Sequence, residues 1–228
     1  MRIILFILLF TGYYSYSQEI DYVKKINEIA AMERDGHQRV GSTSESSFAS
    51  DNFDVKYYRC EWDIDPAVRF IKGKITVYFT VSSASSSITL DMMSPLVADS
   101  IKQRSSLLSF AQPSNTLVVN ISASINPGVL DSISIFYKGV PPNTGFGSFI
   151  QQLHAGVPVM WTLSEPYGAR DWWPCKNGLN DKADSIDILV TYPVGNKAAS
   201  NGLLQSETIT AGGTKMISHW KHRYPIAT

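Results

Sequence analysis

From Phe53 onward apolar residues recur at every second position, and no other feature restricts the fold as strongly. Tyr58, Cys60, Trp62 and Ile64 alternate with Arg59, Glu61 and Asp63. After a turn at Asp65-Pro66, Ile75, Val77, Phe79 and Val81 alternate with Lys74, Thr76, Tyr78 and Thr80. Successive side chains of a strand point to opposite faces, so each run must lay one face on a core. Further strands are predicted at 88–90, 116–121, 133–137, 159–163 and 186–191. A hairpin with Gly212-Gly213 as its two-residue turn closes the series. No helical period longer than two turns follows residue 53. The expected fold of residues 53–228 is all-β, an antiparallel two-layer sandwich or saddle-like curved sheet. Hydrophobic residues at 44 %, with 11 Tyr, 10 Phe and 5 Trp, can fill its core.

The chain before residue 53 follows other rules. Arg2 precedes an unbroken apolar run over residues 3–10, and Ser15 and Ser17 are small residues ahead of a cut at Gln18. That is the pattern of a secretory signal peptide, residues 1–17; the run is far shorter than the ~20 residues a membrane span needs. The mature chain is therefore expected to be exported, with no membrane anchor. Residues 18–35 carry Ile20, Val23, Ile26 and Ala30 at a helical period, which predicts a short amphipathic helix ended by Gly36. A Ser-rich linker over 41–50 completes a segment 18–52 that precedes the β domain.

Charge and motifs exclude several chemistries. Lys+Arg and Asp+Glu both number 20, so the basic stripe of a nucleic-acid binder is not expected. No G-x-S-x-G and no phosphate-binding glycine loop occurs. Of the four histidines, His219 and His222 form H-x-x-H, but on a strand that spacing turns them to opposite faces. Asp181, Asp184 and Asp187 lack the glycine and closing Glu of a calcium loop and are expected to be solvated.

The most informative stretch is MWTLSEPYGARDWWPCKNGLNDKADSIDILVTYP, residues 160–193, with Ser200-Asn201-Gly202 after it. Thr162, Glu165, Pro166, Ala169, Arg170, Trp173, Pro174 and Cys175 match in order and spacing the T-x-x-E-P-x-x-A-R-x-x-[FW]-P-C loop of the aminopeptidase N family. Lys182-Ala183 and Ser200-Asn201 match its later elements, and residues 57–79 resemble its opening strand pair with a G-x-(V/I) at Gly73. The chain thus resembles the N-terminal domain of a secreted bacterial zinc aminopeptidase, a gluzincin metallopeptidase. The resemblance implies that Glu165 helps hold the free α-amine of a peptide substrate, and an ammonium–carboxylate hydrogen bond suits that task. Leu163 stands where several relatives carry a glutamine, which implies a more apolar wall. Arg170, with Pro166, Trp173 and Pro174, is expected to hold the loop in shape. Trp172 and Trp173 are expected to divide, one ring in the core and one at an interface.

The same resemblance implies zinc held by an HExxH helix, and no HExxH occurs among these 228 residues. The expectation is a chain without its catalytic domain, binding no zinc and inactive alone, whose partners are that domain and a peptide N-terminus. The rival expectation is a secreted β-sandwich binding or adhesion module that uses the aromatic loop 167–173 for ligand contact. Export and a count of two permit a Cys60–Cys175 disulfide, while the resemblance implies a packed free thiol at Cys175.

Overall fold

The computed structural model of the protein describes Asn27 and residues 47–225, apart from 145–146, 166 and 211. The signal peptide, the expected helix and most of the Ser-rich linker lie outside the described residues, as does Pro166. Thirteen strands follow in order: β1 (Phe53–Asp65), β2 (Val68–Val81), β3 (Ser85–Asp91), β4 (Val97–Gln103), β5 (Ser106–Leu108), β6 (Phe110–Ala111), β7 (Thr116–Ile125), β8 (Leu130–Gly139), β9 (Phe149–His154), β10 (Val157–Thr162), β11 (Ser185–Pro193), β12 (Leu203–Ile209) and β13 (Lys215–Arg223). An eight-stranded sheet has the order β12-β13-β11-β1-β2-β8-β4-β5; β3-β7-β6 and β10-β9 form two smaller sheets.

The alternation places the core. Tyr58, Cys60 and Trp62 of β1 and Ile75, Val77, Phe79 and Val81 of β2 are all buried, on one face of the large sheet. Ile88, Leu90, Leu117 and Val119 of the three-stranded sheet join them in one cluster, so two layers close over a shared interior. On the outer face Glu61 pairs with Arg59 at 3.1 Å and Lys74 at 2.7 Å, both half-exposed. Among the described residues no helix is long and apolar enough to cross a membrane.

Three details depart from expectation. The sheet is mixed, because β1 pairs with β11 in parallel, Tyr58 opposite Ile186 and Trp62 opposite Val190. Parallel neighbours need a long crossover, and everything from β2 to β10 supplies it. Strands β4, β5, β6 and β9 were not expected, since short or polar segments such as VADSIKQ and FIQQLH carry a faint alternation. The β12–β13 connection is also longer than a two-residue turn. Its strands end at Ile209 and resume at Lys215, with Gly213 (φ +68) donating its N–H to the Thr210 carbonyl at 2.8 Å.

Gly73 explains the glycine after the first turn. A Cβ there would lie 2.6 Å from the Tyr137 ring and 2.8 Å from that of Trp62, whose Nε1–H donates to the Tyr137 hydroxyl at 3.0 Å. Both rings lie across this point of β2, and only a hydrogen atom fits beneath them. Gly73→Ala should therefore destabilise by about 1–3 kcal/mol, the usual range for overpacking. Urea unfolding measures it; a loss below ~0.5 kcal/mol, the surface range, would mean the rings yield freely.

Candidate functional site

The site is the loop that leaves β10 at Thr162 and re-enters the sheet system at Cys175. Its conformation follows from backbone hydrogen bonds at close intervals. Leu163 N–H donates to Ser148 O at 2.9 Å and Gly168 N–H to Ser164 O at 2.7 Å, which folds residues 164–168 into a turn. A Cβ on Gly168 would stand 2.5 Å from the Leu163 carbonyl oxygen, so this turn excludes any larger residue. One turn of 3-10 helix, Ala169–Asp171, follows, entirely buried.

Buried side chains brace that helix. The Asp171 carboxylate accepts from the Ser148 hydroxyl at 2.6 Å and from Thr144. Arg170 is only 2 % exposed, its guanidinium faces the Phe48 ring at 5.8 Å, and its carbonyl accepts from Met93 N–H at 2.9 Å. Asn177 donates through Nδ2 to the Tyr167 carbonyl at 2.9 Å. Cys175 and Asp91 exchange two backbone hydrogen bonds, at 2.8 and 3.0 Å, stitching the loop to the end of β3. The Asp91 carboxylate then accepts from Asn177 N–H at 3.1 Å, Phe48 N–H at 2.7 Å and the Ser47 hydroxyl at 2.6 Å.

Against this fixed base Glu165 is exposed, and its carboxylate makes no hydrogen bond or ion pair with the described residues. A polar residue held out on a braced turn is free to meet a ligand. A separate shallow concavity of about 390 Å³, lined by Asp51, Phe53, Asp54, Lys176, Asn180 and Asp181, does not include it.

The profile of the Peptidase M1 N-terminal domain matches residues 54–228. The chain belongs to the M1 peptidase family. No curated protein matches it. Among solved structures it is similar to a two-domain M1 zinc metallopeptidase variant bound to L-arginine, at 22 % identity and TM-score 0.68, over 78 % of this chain and 40 % of that one. It is also similar to the M1 zinc metallopeptidase from Deinococcus radiodurans, at 23 % identity and TM-score 0.66, over 76 % of this chain and 40 % of that one. At this identity the likeness is one of fold, and the chain spans about 40 % of the length of these peptidases.

The M1 loop motif now has a physical reading at each described position. Ala169 is buried and sits at the start of the 3-10 turn, where its carbonyl accepts from both Trp172 and Trp173 at 3.1 Å. Pro174 and Cys175 are buried, while Thr162 is exposed and Leu163 half-buried. Trp172 and Trp173 depart from expectation: both rings are in the core, 7 % and 3 % exposed. Trp173 meets Tyr58 edge-on at 5.0 Å, Trp172 lies 4.7 Å from Trp62, and the Tyr137 hydroxyl donates to the Trp172 carbonyl at 2.8 Å. Neither ring is left to stack on a ligand, and of the aromatic residues in loop 167–173 only Tyr167 is partly exposed.

Of the three acidic residues Asp184 is exposed, as expected, and the other two are corrected. Asp181 is half-buried beside Lys176, whose ammonium donates to it and to the Phe53 carbonyl, each at 2.5 Å. Asp187 is buried on the outer face of β11, accepting from Tyr57 and lying 2.6 Å from His219 Nε2 and 3.4 Å from Lys221 Nζ. Neither is solvated, because cationic and hydroxyl partners on neighbouring strands satisfy them. Among the described residues no three His, Cys, Asp or Glu side chains are placed to hold a metal.

Cys60 and Cys175 are both buried free thiols, so the disulfide that their count permits is not made. Cys175 Sγ is instead 3.8 Å from Asn177 Oδ1. Burial pushes both thiols well above their ordinary pKa. The native protein at pH 8 should therefore give no reaction with a thiol reagent, and unfolding without reductant should reveal two; fewer than two would establish a bond. Asp187 yields a pH prediction. Burial alone would raise it, but the bonds from Tyr57, His219 and Lys221 outweigh burial and hold it below the usual carboxylate range. A lowered folded pKa contributes stability that is complete above the unfolded value, about 3.9, and lost as pH falls through the folded one. Asp187→Asn should flatten the acid side of the stability–pH curve below about pH 5; an unchanged slope there would refute the assignment.

Proposed function

We propose that the chain is the substrate-facing β domain of an exported zinc aminopeptidase, which removes residues from peptide N-termini. The observation that carries this reading is Glu165, an exposed carboxylate without a partner among the described residues, on a turn fixed from beneath by Arg170, Asp171 and Asn177. Membership of the M1 family supports it. The similar solved structures hold L-arginine, L-tryptophan or a Tyr-Ser-Ala substrate, all ligands with a free α-amine.

The residues present do not fit the zinc that M1 peptidases carry. A catalytic zinc takes three protein ligands, and neither the described side chains nor the spacing of the four histidines provides them. The metal and the general base belong to a catalytic domain beyond these residues, and this chain alone should cleave no aminoacyl substrate. Residues 1–17 direct export in this reading, so the mature protein should begin at Gln18.

In the complete enzyme Glu165 accepts hydrogen bonds from the substrate ammonium group and fixes where the first peptide bond lies. Such a charged hydrogen bond contributes about 1.5–3 kcal/mol. At 1.36 kcal/mol per decade, Glu165→Ala should lower kcat/KM about 10- to 150-fold. Glu165→Gln should cost less, since its amide oxygen still accepts. A rise in KM alone marks uniform anchoring; a fall in kcat as well marks positioning. The deciding comparison is substrates with free and blocked amines. If Glu165→Ala leaves the preference for a free amine intact, the assignment is wrong.

A further inference from the structure

The dipeptide Asn-Gly occurs twice in the chain, at Asn177-Gly178 and Asn201-Gly202, and the fold treats the two in opposite ways. In this pair the side-chain amide is open to attack by the chain itself, because glycine has no side chain beside its backbone nitrogen to block the approach. Asn177 and Gly178 are buried. The Asn177 amide is held at both ends. Its Nδ2 donates to the Tyr167 carbonyl at 2.9 Å, and its Oδ1 accepts from the Arg170 N–H at 3.4 Å and the Cys175 thiol at 3.8 Å. Its own N–H donates to the Asp91 carboxylate at 3.1 Å. Asn201 and Gly202 instead lie exposed at the end of the irregular connection between β11 and β12. Neither the Asn201 amide nor the Gly202 N–H makes a hydrogen bond with the described residues. Gly202 has a φ of +91°, and a Cβ there would stand 2.2 Å from the Lys221 carbonyl oxygen. The glycine that lets β12 start beside β13 is therefore also the one that leaves the preceding amide open.

We infer that Asn201 is a site of self-modification, converted to aspartate and isoaspartate in the folded protein, and that Asn177 is protected from the same reaction. The Gly202 backbone nitrogen gives its proton to hydroxide and bonds to Asn201 Cγ. The Cγ–Nδ2 bond breaks, the amide nitrogen leaves as ammonia with a proton from water, and a five-membered succinimide closes. A second water then adds to one of the two ring carbonyls. Addition at Cγ gives aspartate; addition at the main-chain carbonyl gives isoaspartate, with the chain running through the former side chain. Water is the only reactant consumed, and nothing is oxidised or reduced. At Asn177 the same attack requires the amide to release Tyr167 and Arg170 and its N–H to leave Asp91, so it waits for the buried cluster to open. The two products differ in their effect on the sheet. Aspartate keeps the backbone as it is. Isoaspartate inserts one carbon ahead of Gly202, which packs on the Lys221 carbonyl, while the next residue, Leu203, is the first to pair with Lys221. A longer chain cannot keep both contacts, so the start of β12 loosens as the molecule ages.

Peptide mapping of the incubated 228-residue chain tests the assignment. Trypsin cuts after Lys176, Lys182, Lys197 and Lys215, so the two asparagines fall in separate peptides, 177–182 and 198–215. Replacement of the amide by a carboxyl raises the mass by one unit, fragmentation places the change, and an isoaspartyl methyltransferase labels the isoaspartate. In the folded protein Asn201 should convert, faster at alkaline than at neutral pH. Asn177 should convert at least about a hundredfold more slowly, since its opening draws on the stability of the core. In urea the two rates should converge. Equal rates in the folded protein overturn the inference, and so does an Asn201 that stays intact while the unfolded chain converts. Gly202→Ala is unsuitable as a control, because its Cβ meets the Lys221 carbonyl. Asn201→Gln keeps the amide one carbon further from the Gly202 nitrogen and should leave peptide 198–215 unchanged in mass; a gain there would move the reaction to another residue. Amide exchange over the first residues of β12 reads the consequence. It should quicken in aged wild-type protein and not in Asn201→Asp. Equal exchange in aged, fresh and Asn201→Asp protein would overturn the loosening of β12.

Discussion

A carboxylate taken out of water costs several kcal/mol unless hydrogen bonds replace its hydration, and the arrangement around Asp91 is built on that demand. The residue is fully buried at the end of β3. Its oxygens accept from Ser47, Phe48 and Asn177, while its backbone trades hydrogen bonds with Cys175. Four segments therefore have to arrive together: the three-stranded sheet, the chain leading into β1, the W-P-C segment and the residue that holds the Tyr167 carbonyl. Moving any one of them strands an ion in the interior. The Glu165 turn inherits its rigidity from this cluster rather than from its own short hydrogen bonds.

The aromatic residues serve the same end from the other side. Trp62, Tyr137 and Trp172 form a relay in which an indole N–H donates to a hydroxyl and that hydroxyl to a main-chain carbonyl. This ties the loop after the 3-10 turn to β1 and β8 at once, and Gly73 leaves the room in which the rings cross. The Ala169 carbonyl accepts the backbone N–H of both Trp172 and Trp173, which turns the chain sharply at the two buried rings.

Much of the fold was legible because a half-buried strand must alternate, and β1 from Tyr58 to Trp62 and β2 from Val77 to Val81 do so. The burial of Tyr58, Cys60, Trp62, Ile75, Val77 and Phe79 follows from parity alone. What could not be read depends on partners distant in the chain. Nothing local marks β11 as a parallel neighbour of β1. Asp187 looks like any surface carboxylate until Tyr57, His219 and Lys221 arrive from other strands. Asp91 ends an apolar strand, and only the return of Cys175 and Asn177 reveals why it is charged. At the candidate site the order T-x-x-E-P-x-x-A-R was readable as a pattern. Asp171 and Asn177, which stabilise it, were missed because they are ordinary polar residues outside that pattern.

The parallel pairing of β1 with β11 also sets a timetable for synthesis. β1 finds β2 within a few residues, but its other edge has to wait until Ser185–Pro193 has left the ribosome. At about 5–20 residues per second that wait is on the order of ten seconds. Throughout it, a long strand with Tyr58, Cys60 and Trp62 on one face presents an open edge, the arrangement that invites pairing with another chain. For a chain that is to be threaded through a membrane before it folds, the delay is harmless, since the strand reaches its partner only on the far side. For the same chain held in the compartment where it is made, those seconds are its period of greatest exposure to aggregation.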